Sequence, residues 1–185
     1  MASFDRLSLD EALRLLCDTF SETELERLLA QPAALAAELK ALTLPRDARI
    51  ESWFPNLVAD EYRITSEIDY RYNCIAWAVG RTDRFWWPIR HYWPEDLLAE
   101  ETIAAFTSLF RRSGYEPCND ADVEVGFEKV ALFARDGIPT HAAKQLPHGG
   151  WTSKLGRWED IEHELSMLTG SEYGEVVQVF RRAIS

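Results

Sequence analysis

The chain has 185 residues, of which 46% are hydrophobic and 12% aromatic, and this composition supports a folded core and excludes a disordered chain. Its 31 acidic and 20 basic residues give a net charge of −11, which disfavours nucleic acid and anionic membranes as partners because both repel an acidic surface. The length predicts one main domain with at most a small appendage, since domains commonly hold about 100–200 residues.

The cysteine content favours a reducing compartment. Three cysteines occur, Cys17, Cys74 and Cys118, and an odd number in a chain of this length is not typical of a disulfide framework. The first residues, MASFDRLSLDE, carry charges where a signal peptide needs an apolar stretch. The longest apolar run, residues 74–79, is too short to span a bilayer. We therefore expect a cytoplasmic protein with no membrane segment.

The N-terminal part of the chain is predicted to be helical. Capping-box spacings at Ser8 and Ser21 open two helices, and Pro32 suits the first turn of a third. We expect residues 1–45 to form a helical N-terminal extension and residues 46–185 to form the main domain.

The centre of the chain predicts a short buried helix. Asn73 has the position of a helix N-cap, residues 74–79 are apolar on every side, and Gly80 can end the helix. The tryptophan-rich segment 85–94 is expected to form a packed loop. Helical periodicity predicts a second helix over residues 101–112.

The C-terminal part predicts antiparallel strands joined by turns. The strands are expected at residues 127–134, 140–146, 151–155 and 176–182, with a short additional strand in YRITS. Residues 158–168, WEDIEHELSML, are expected to be helical. The fold class is therefore α+β, with a helical cap, a buried central helix and an antiparallel sheet of four to five strands.

Cys74 is the first candidate for chemistry. As the first residue after a predicted N-cap, its sulfur lies near unsatisfied backbone N–H groups and the positive end of the helix dipole. This position lowers the pKa of a thiol and favours the nucleophilic thiolate. The alternative is that Cys74 is a small buried hydrophobic residue.

His141 is the candidate base. On its predicted strand it shares a face with Ala143 and Gln145. A histidine beside a thiol can take the thiol proton and form the reactive ion pair. The alternative is a histidine of the core with its hydrogen bonds satisfied.

Ser153 is the candidate third residue, which would orient the imidazole. If the preceding loop is residues 148–150, Ser153 lies opposite Gln145 and shares the face of His141. With a loop of two or four residues, Thr152 and Lys154 take that face instead.

The order of these residues resembles the papain-like fold, in which a cysteine opens a buried helix, a histidine lies on a strand, and a polar residue lies on the following strand. NlpC-type and CHAP-type cell-wall amidases are the most similar groups. In them the third residue commonly follows the histidine at the spacing seen here, where Ser153 follows His141 by twelve positions. Cys74-x-x-Trp77-Ala78 is also similar to a thiol-protease helix.

A more extensive resemblance is to an uncharacterised bacterial family. Its members share segments like YNCIAWA, WWP, GFEKVALF, THAAKQL, WTSKLG, EDIEH and SEYG, which here fall within roughly residues 50–182. Compared with the cell-wall amidases, the chain departs at the nucleophile, where Asn73-Cys74-Ile75-Ala76 replaces the usual Asp-Cys-Ser-Gly. The third residue of those enzymes is usually His, Asn, Asp or Gln.

These resemblances imply a cysteine-dependent hydrolase or acyltransferase acting on amide bonds, of peptidase, amidase or deamidase type. Cys74 would be the nucleophile, His141 the base and then the acid, and Ser153 the orienting residue. Asn73, Gln145 and Trp77 are candidate substrate-binding residues. No cofactor is required, and the His and Cys spacings match no metal motif. The alternative is an inactive papain-like binding module, such as an adaptor or immunity protein, with a protein partner.

Overall fold

The computed structural model describes residues 45–57, 61–89 and 91–184, together with scattered positions between 14 and 39. The three helices expected before residue 45 fall largely outside these residues, and so does Cys17. The chain divides into two compact units, Met1–Pro55 and Asn56–Ser185. In the first unit, helix α1 (Arg46–Trp53) begins directly after Pro45, whose fixed φ suits a helix entry.

The second unit contains a seven-stranded antiparallel sheet. Its strands are β1 (Arg63–Ile64), β2 (Glu116–Cys118), β3 (Phe127–Arg135), β4 (Ile138–Gln145), β5 (Trp151–Lys154), β6 (Asp160–His163) and β7 (Glu175–Ala183). They lie in the order β1-β6-β5-β4-β3-β7-β2, and every neighbouring pair is antiparallel. We expected four to five strands, including the short one in YRITS that is β1. The two strands not expected are β2, which at three residues is too short to carry a sequence pattern, and β6.

The segment 158–168 is not the helix that we expected. It contains β6 and a single 3-10 helix, Leu165–Leu168. The segment pairs with β5 over four positions, including Ser153 opposite Ile161. A short stretch with mixed apolar and acidic residues is ambiguous in its local pattern, and the available edge of β5 decides the outcome.

Two helices cover one face of the sheet. Helix α2 (Cys74–Ala78) is capped by the Asn73 side chain, which accepts a hydrogen bond from the Ala76 N–H. Helix α3 (Ile103–Arg112) is capped in the same way by Thr102. Both helices share a hydrophobic core with even-numbered residues of the sheet, namely Val130, Leu132, Ala142 and Phe180. Because side chains alternate along a strand, His141 lies on the opposite face from Ala142.

The pairing of β4 with β5 is short. Only Lys144 with Thr152 and Gln145 with Trp151 are paired, across a loop formed by residues 146–150. The loop is longer than any that we considered, but its odd length keeps odd-numbered residues of both strands on one face. Ser153 therefore shares the face of His141, although Gln145 lies opposite Trp151 rather than Ser153.

Candidate active site

The thiol of Cys74 lies at the start of α2 and is almost fully buried, with 4% of the residue exposed. Burial raises its pKa to about 11, and hydrogen bonds from the backbone N–H groups of Ala142, Ile75 and Cys74 itself offset this only in part. Our expectation of a lowered thiol pKa is therefore wrong for this conformation. The helix-end effect that we invoked is real, but withdrawal from water disfavours the thiolate more strongly.

The contact with Ala142 places the thiol sulfur at the backbone of β4, one residue from His141. On the N-terminal side of Lys144, no residue of β4 is paired with β5 in the described part of the chain. The Cys74 helix therefore packs on β4 in the region where β4 and β5 are no longer paired. No hydrogen bond joins the two side chains, since Nδ1 of His141 is buried without a partner among the described residues.

The His141 ring is held from several sides. Its Nε2 lies 2.9 Å from Ser153 Oγ, its face stacks on Tyr173 with ring centroids 3.9 Å apart and planes at 5°, and Phe133 contacts it edge-on at 5.4 Å. Burial, and next the neighbouring His163, lowers the pKa of His141 well below its usual value. The imidazole is therefore neutral at pH 7, the form in which it can accept a proton.

Ser153 connects His141 to a second histidine, His163. The Ser153 hydroxyl lies 2.8 Å from His163 Nε2, and His163 Nδ1 lies 2.7 Å from the Glu164 carbonyl oxygen. Burial lowers the pKa of His163 to about 4. The three side chains of His141, Ser153 and His163 form a buried hydrogen-bonded row, which we call the His–Ser–His row.

Sequence reasoning missed His163 because we assigned its segment to a helix. As a strand, the same residues alternate, and Ile161 and His163 then face the same way as Ser153. The alternation of Asp160-Ile161-Glu162-His163 was the available indication, but four residues do not distinguish a strand from a helix turn.

Tyr173 closes the site. It lies in the turn between the 3-10 helix and β7, and a β-bridge between Gly170 and Gly174 closes this turn. The Thr140 hydroxyl on β4 donates a hydrogen bond to the Tyr173 carbonyl oxygen at 2.5 Å and so connects the turn to the sheet. Burial, with the nearby Cys74 as the second cause, raises the pKa of the Tyr173 hydroxyl well above its usual value. No sequence pattern indicated this contact, because a turn residue has no periodicity.

A buried cation, Lys154, acts on the thiol through its charge. Lys154 is fully buried, its ammonium donates to the Trp158 carbonyl, and it lies 3.8 Å from Asp160 Oδ1 and 4.6 Å from the centre of the Tyr72 ring. Burial lowers the pKa of Lys154, while the Asp160 charge opposes that effect. The Lys154 charge favours the thiolate of Cys74.

Two of the three predicted substrate-binding residues are engaged elsewhere. The Asn73 amide caps α2 and also accepts from the Trp86 N–H at 3.0 Å and donates to the Trp86 carbonyl at 2.7 Å. It is therefore not available as an oxyanion donor. The Gln145 amide donates to the Ala121 carbonyl at 2.6 Å and does not contact the His141 ring. Trp77 differs, because its indole N–H is buried and has no partner among the described residues.

Three clefts on the described part of the surface lie away from the thiol. None of the three is lined by Cys74, His141 or Ser153. The smallest, of about 340 Å³, has His163 in its wall. The described residues contain no group of three or more His, Cys, Asp or Glu side chains that can hold a metal ion. They also contain no helix long and apolar enough to cross a membrane.

The fold and site define an α+β protein with a buried Cys74, His141 and Ser153 at the junction of a helix and an antiparallel sheet. Residues 63–181 match the family described as a domain of unknown function, DUF7689, and the chain belongs to that family. The matched region contains every residue of the His–Ser–His row as well as Cys74 and Tyr173. No curated protein and no solved structure matches the chain.

Proposed function

We propose that the protein is a cysteine-dependent hydrolase or acyltransferase of papain-like type that acts on amide bonds. One observation carries the proposal: Nε2 of His141 is held by Ser153 while its buried Nδ1 has no partner among the described residues, and the Ala142 backbone next to His141 favours the thiolate of Cys74. A buried imidazole nitrogen without a partner is unusual in a core, where buried polar atoms are normally paired. Such a nitrogen is what a thiol needs as its base.

The chemistry follows from these groups. Cys74 attacks the carbonyl carbon of an amide, and His141 Nδ1 takes the thiol proton. The backbone N–H of Cys74 helps to hold the negative oxygen of the tetrahedral intermediate. His141 then gives the proton to the leaving amine, and a thioester remains on Cys74. Water or another acceptor attacks the thioester, again with His141 as base, and restores the thiol.

Access to the thiol requires a change from the closed conformation. The Tyr173 ring covers the His141 face, and the thiol with a pKa near 11 is protonated at pH 7. In a conformation with Tyr173 displaced, water or substrate reaches both groups, the desolvation that opposes the thiolate decreases, and proton transfer to His141 becomes favourable. Catalytic hydrogen bonds of apo enzymes are commonly long and shorten when substrate binds.

The test is acylation of Cys74 by an activated acyl donor. We expect p-nitrophenyl acetate to transfer its acetyl group to Cys74, detected by mass spectrometry of peptides, and expect the adduct to be hydrolysed with time. His141→Ala should retain a folded protein but lose the acylation. Cys118→Ala is the matched control, because Cys118 lies on β2 outside the site and its removal should leave the reaction unchanged. Acetylation of Cys74 at the same rate in wild type and His141→Ala would sink the proposal.

A second candidate is a binding module that keeps the scaffold without activity. The closed environment of Cys74, with 4% exposure and no hydrogen bond to His141, favours it. This candidate predicts no acyl adduct on Cys74 at any pH. It also predicts that Cys74→Ser changes neither the fold nor the binding of a protein partner.

A further inference from the structure

His163 determines which proton positions are possible in the His–Ser–His row. Its Nδ1 lies 2.7 Å from the Glu164 carbonyl oxygen. A carbonyl oxygen can only accept a hydrogen bond, so Nδ1 of His163 must carry the proton and donate it. The Glu164 carbonyl, which can only accept, therefore fixes the proton position at the His163 end of the row.

The remaining protons follow in order. Burial keeps His163 neutral at pH 7, so with Nδ1 protonated its Nε2 can only accept. Ser153 has one hydroxyl proton, and at 2.8 Å it donates that proton to His163 Nε2. Its oxygen then accepts from the other neighbour, which means that His141 Nε2 at 2.9 Å carries a proton and donates it.

The consequence for His141 is a defined tautomer. With its proton on Nε2, the neutral ring presents a bare lone pair at Nδ1, and this atom is the one that is buried without a partner among the described residues. We infer that His163 is a positioning residue that, through Ser153 and the Glu164 carbonyl, fixes His141 as the Nε2–H tautomer and keeps Nδ1 available as the base toward Cys74. The tautomer itself stands on the hydrogen bonds, whereas its use in catalysis rests on the proposed function.

Ser153 alone cannot set this tautomer. A serine hydroxyl rotates and serves equally well as donor or acceptor. Without an acceptor at His163, the Ser153 hydroxyl can donate to His141 Nε2, and the His141 proton then lies on Nδ1, where it blocks the base. His163 supplies the acceptor that removes this choice.

The experiment measures the tautomer of His141 directly by ring ¹⁵N NMR at pH 7. The chain has only four histidines, so single substitutions assign each ring. In wild type we expect His141 to be protonated at Nε2 and bare at Nδ1. His163→Met has a similar size and only a weak thioether acceptor, and we expect the proton of His141 to move to Nδ1 in at least half of the molecules. His163→Gln can place its amide oxygen near the original Nε2 position, and we expect it to restore the wild-type tautomer.

The outcomes separate this inference from the proposed function. A wild-type His141 protonated at Nδ1, or a His163→Met protein in which His141 keeps its Nε2 proton, overturns the inference. If His163→Met fails to fold, the wild-type spectrum still decides the tautomer, and Ser153→Ala provides the second perturbation. If the tautomer is as inferred but Cys74 is inert, only the proposed function fails. If both hold, His163→Met should slow Cys74 acylation at least about twofold, in proportion to the measured loss of the Nε2–H tautomer of His141, and His163→Gln should recover most of the rate.

Discussion

Ser153→Ala should destabilise the protein far more than the removal of one oxygen atom suggests. The hydroxyl is fully buried and contacts two ring nitrogens at 2.9 and 2.8 Å. Its loss leaves His141 Nε2 and His163 Nε2 unsatisfied in the core. Each unsatisfied buried group costs about 1–3 kcal/mol, so we expect the free energy of unfolding to fall by about 3 kcal/mol, within an outer range of about 2–6 kcal/mol. The removed oxygen leaves a space too small to hold a rescuing water.

Urea unfolding followed by tryptophan fluorescence measures this loss. All tryptophans except Trp53 lie in the unit that contains the sheet, so the signal reports mainly on that unit. Ser108→Ala is the matched control: its hydroxyl donates to the Ala104 carbonyl on an exposed face of α3, and we expect a change within about 0.5 kcal/mol. A loss below about 1 kcal/mol for Ser153→Ala would refute the reasoning, because it would mean that the His–Ser–His row is not a tightly satisfied network.

Three further predictions concern the same unit. The pKa of His163 is about 4 in the folded protein and near 6.5 in the unfolded chain. Because the unfolded chain binds the proton more tightly, the free energy of unfolding should fall by about 3 kcal/mol as pH drops from 6.5 to 4. Urea titrations of wild type and His163→Gln should show that the variant lacks this pH-dependent loss of stability. Gly174→Ala should lower stability by about 2–4 kcal/mol, measured by thermal unfolding, since the glycine has φ +74° and an added Cβ would lie 2.1 Å from the Ala134 carbonyl oxygen. Asn73→Ala should lower the free energy of unfolding by about 2–4 kcal/mol, because it removes a helix cap and two hydrogen bonds to a neighbouring loop. Thr102→Ala removes only a helix cap and should lower it by about 1 kcal/mol. Equal losses for the two variants in chemical denaturation would contradict this account.

The longer elements of the sheet were predictable because their patterns are strong. Strands β3, β4 and β7 have eight or nine residues each, and their observed bounds lie within two residues of those expected. The placement of Ser153 on the face of His141 was one of two alternatives that the sequence left open, because side-chain alternation depends on whether the connecting loop has an odd or even length. The loop between β4 and β5 is longer than the loops that we considered, but its length is odd, so Ser153 lies on the face of His141.

The features that sequence did not provide depend on tertiary contacts. The pKa of Cys74 follows from how completely α2 and β4 exclude water, and no local pattern gives that quantity. His163 was hidden because the pairing of β6 with β5 overrides a local preference for helix. The contact of Tyr173 with His141 joins a turn to a strand thirty-two positions away along the chain, and only the folded chain brings the two rings together.

The central claim is that Cys74 and His141 act as a pair, and the most direct test is the rate of iodoacetamide alkylation at Cys74 between pH 4 and 9. Peptide mapping gives the rate at Cys118 in the same sample as an internal control, namely a partly buried thiol outside the site whose pKa is raised by burial. In the conformation with Tyr173 displaced, which the account requires for access to the thiol, Cys74 is alkylated faster than Cys118 at pH 6–7, well below the free-thiol pKa of about 8.5, and His141→Ala abolishes this advantage. A Cys74 that reacts more slowly than Cys118 at every pH, with no change in His141→Ala, would contradict the account and leave a buried structural thiol.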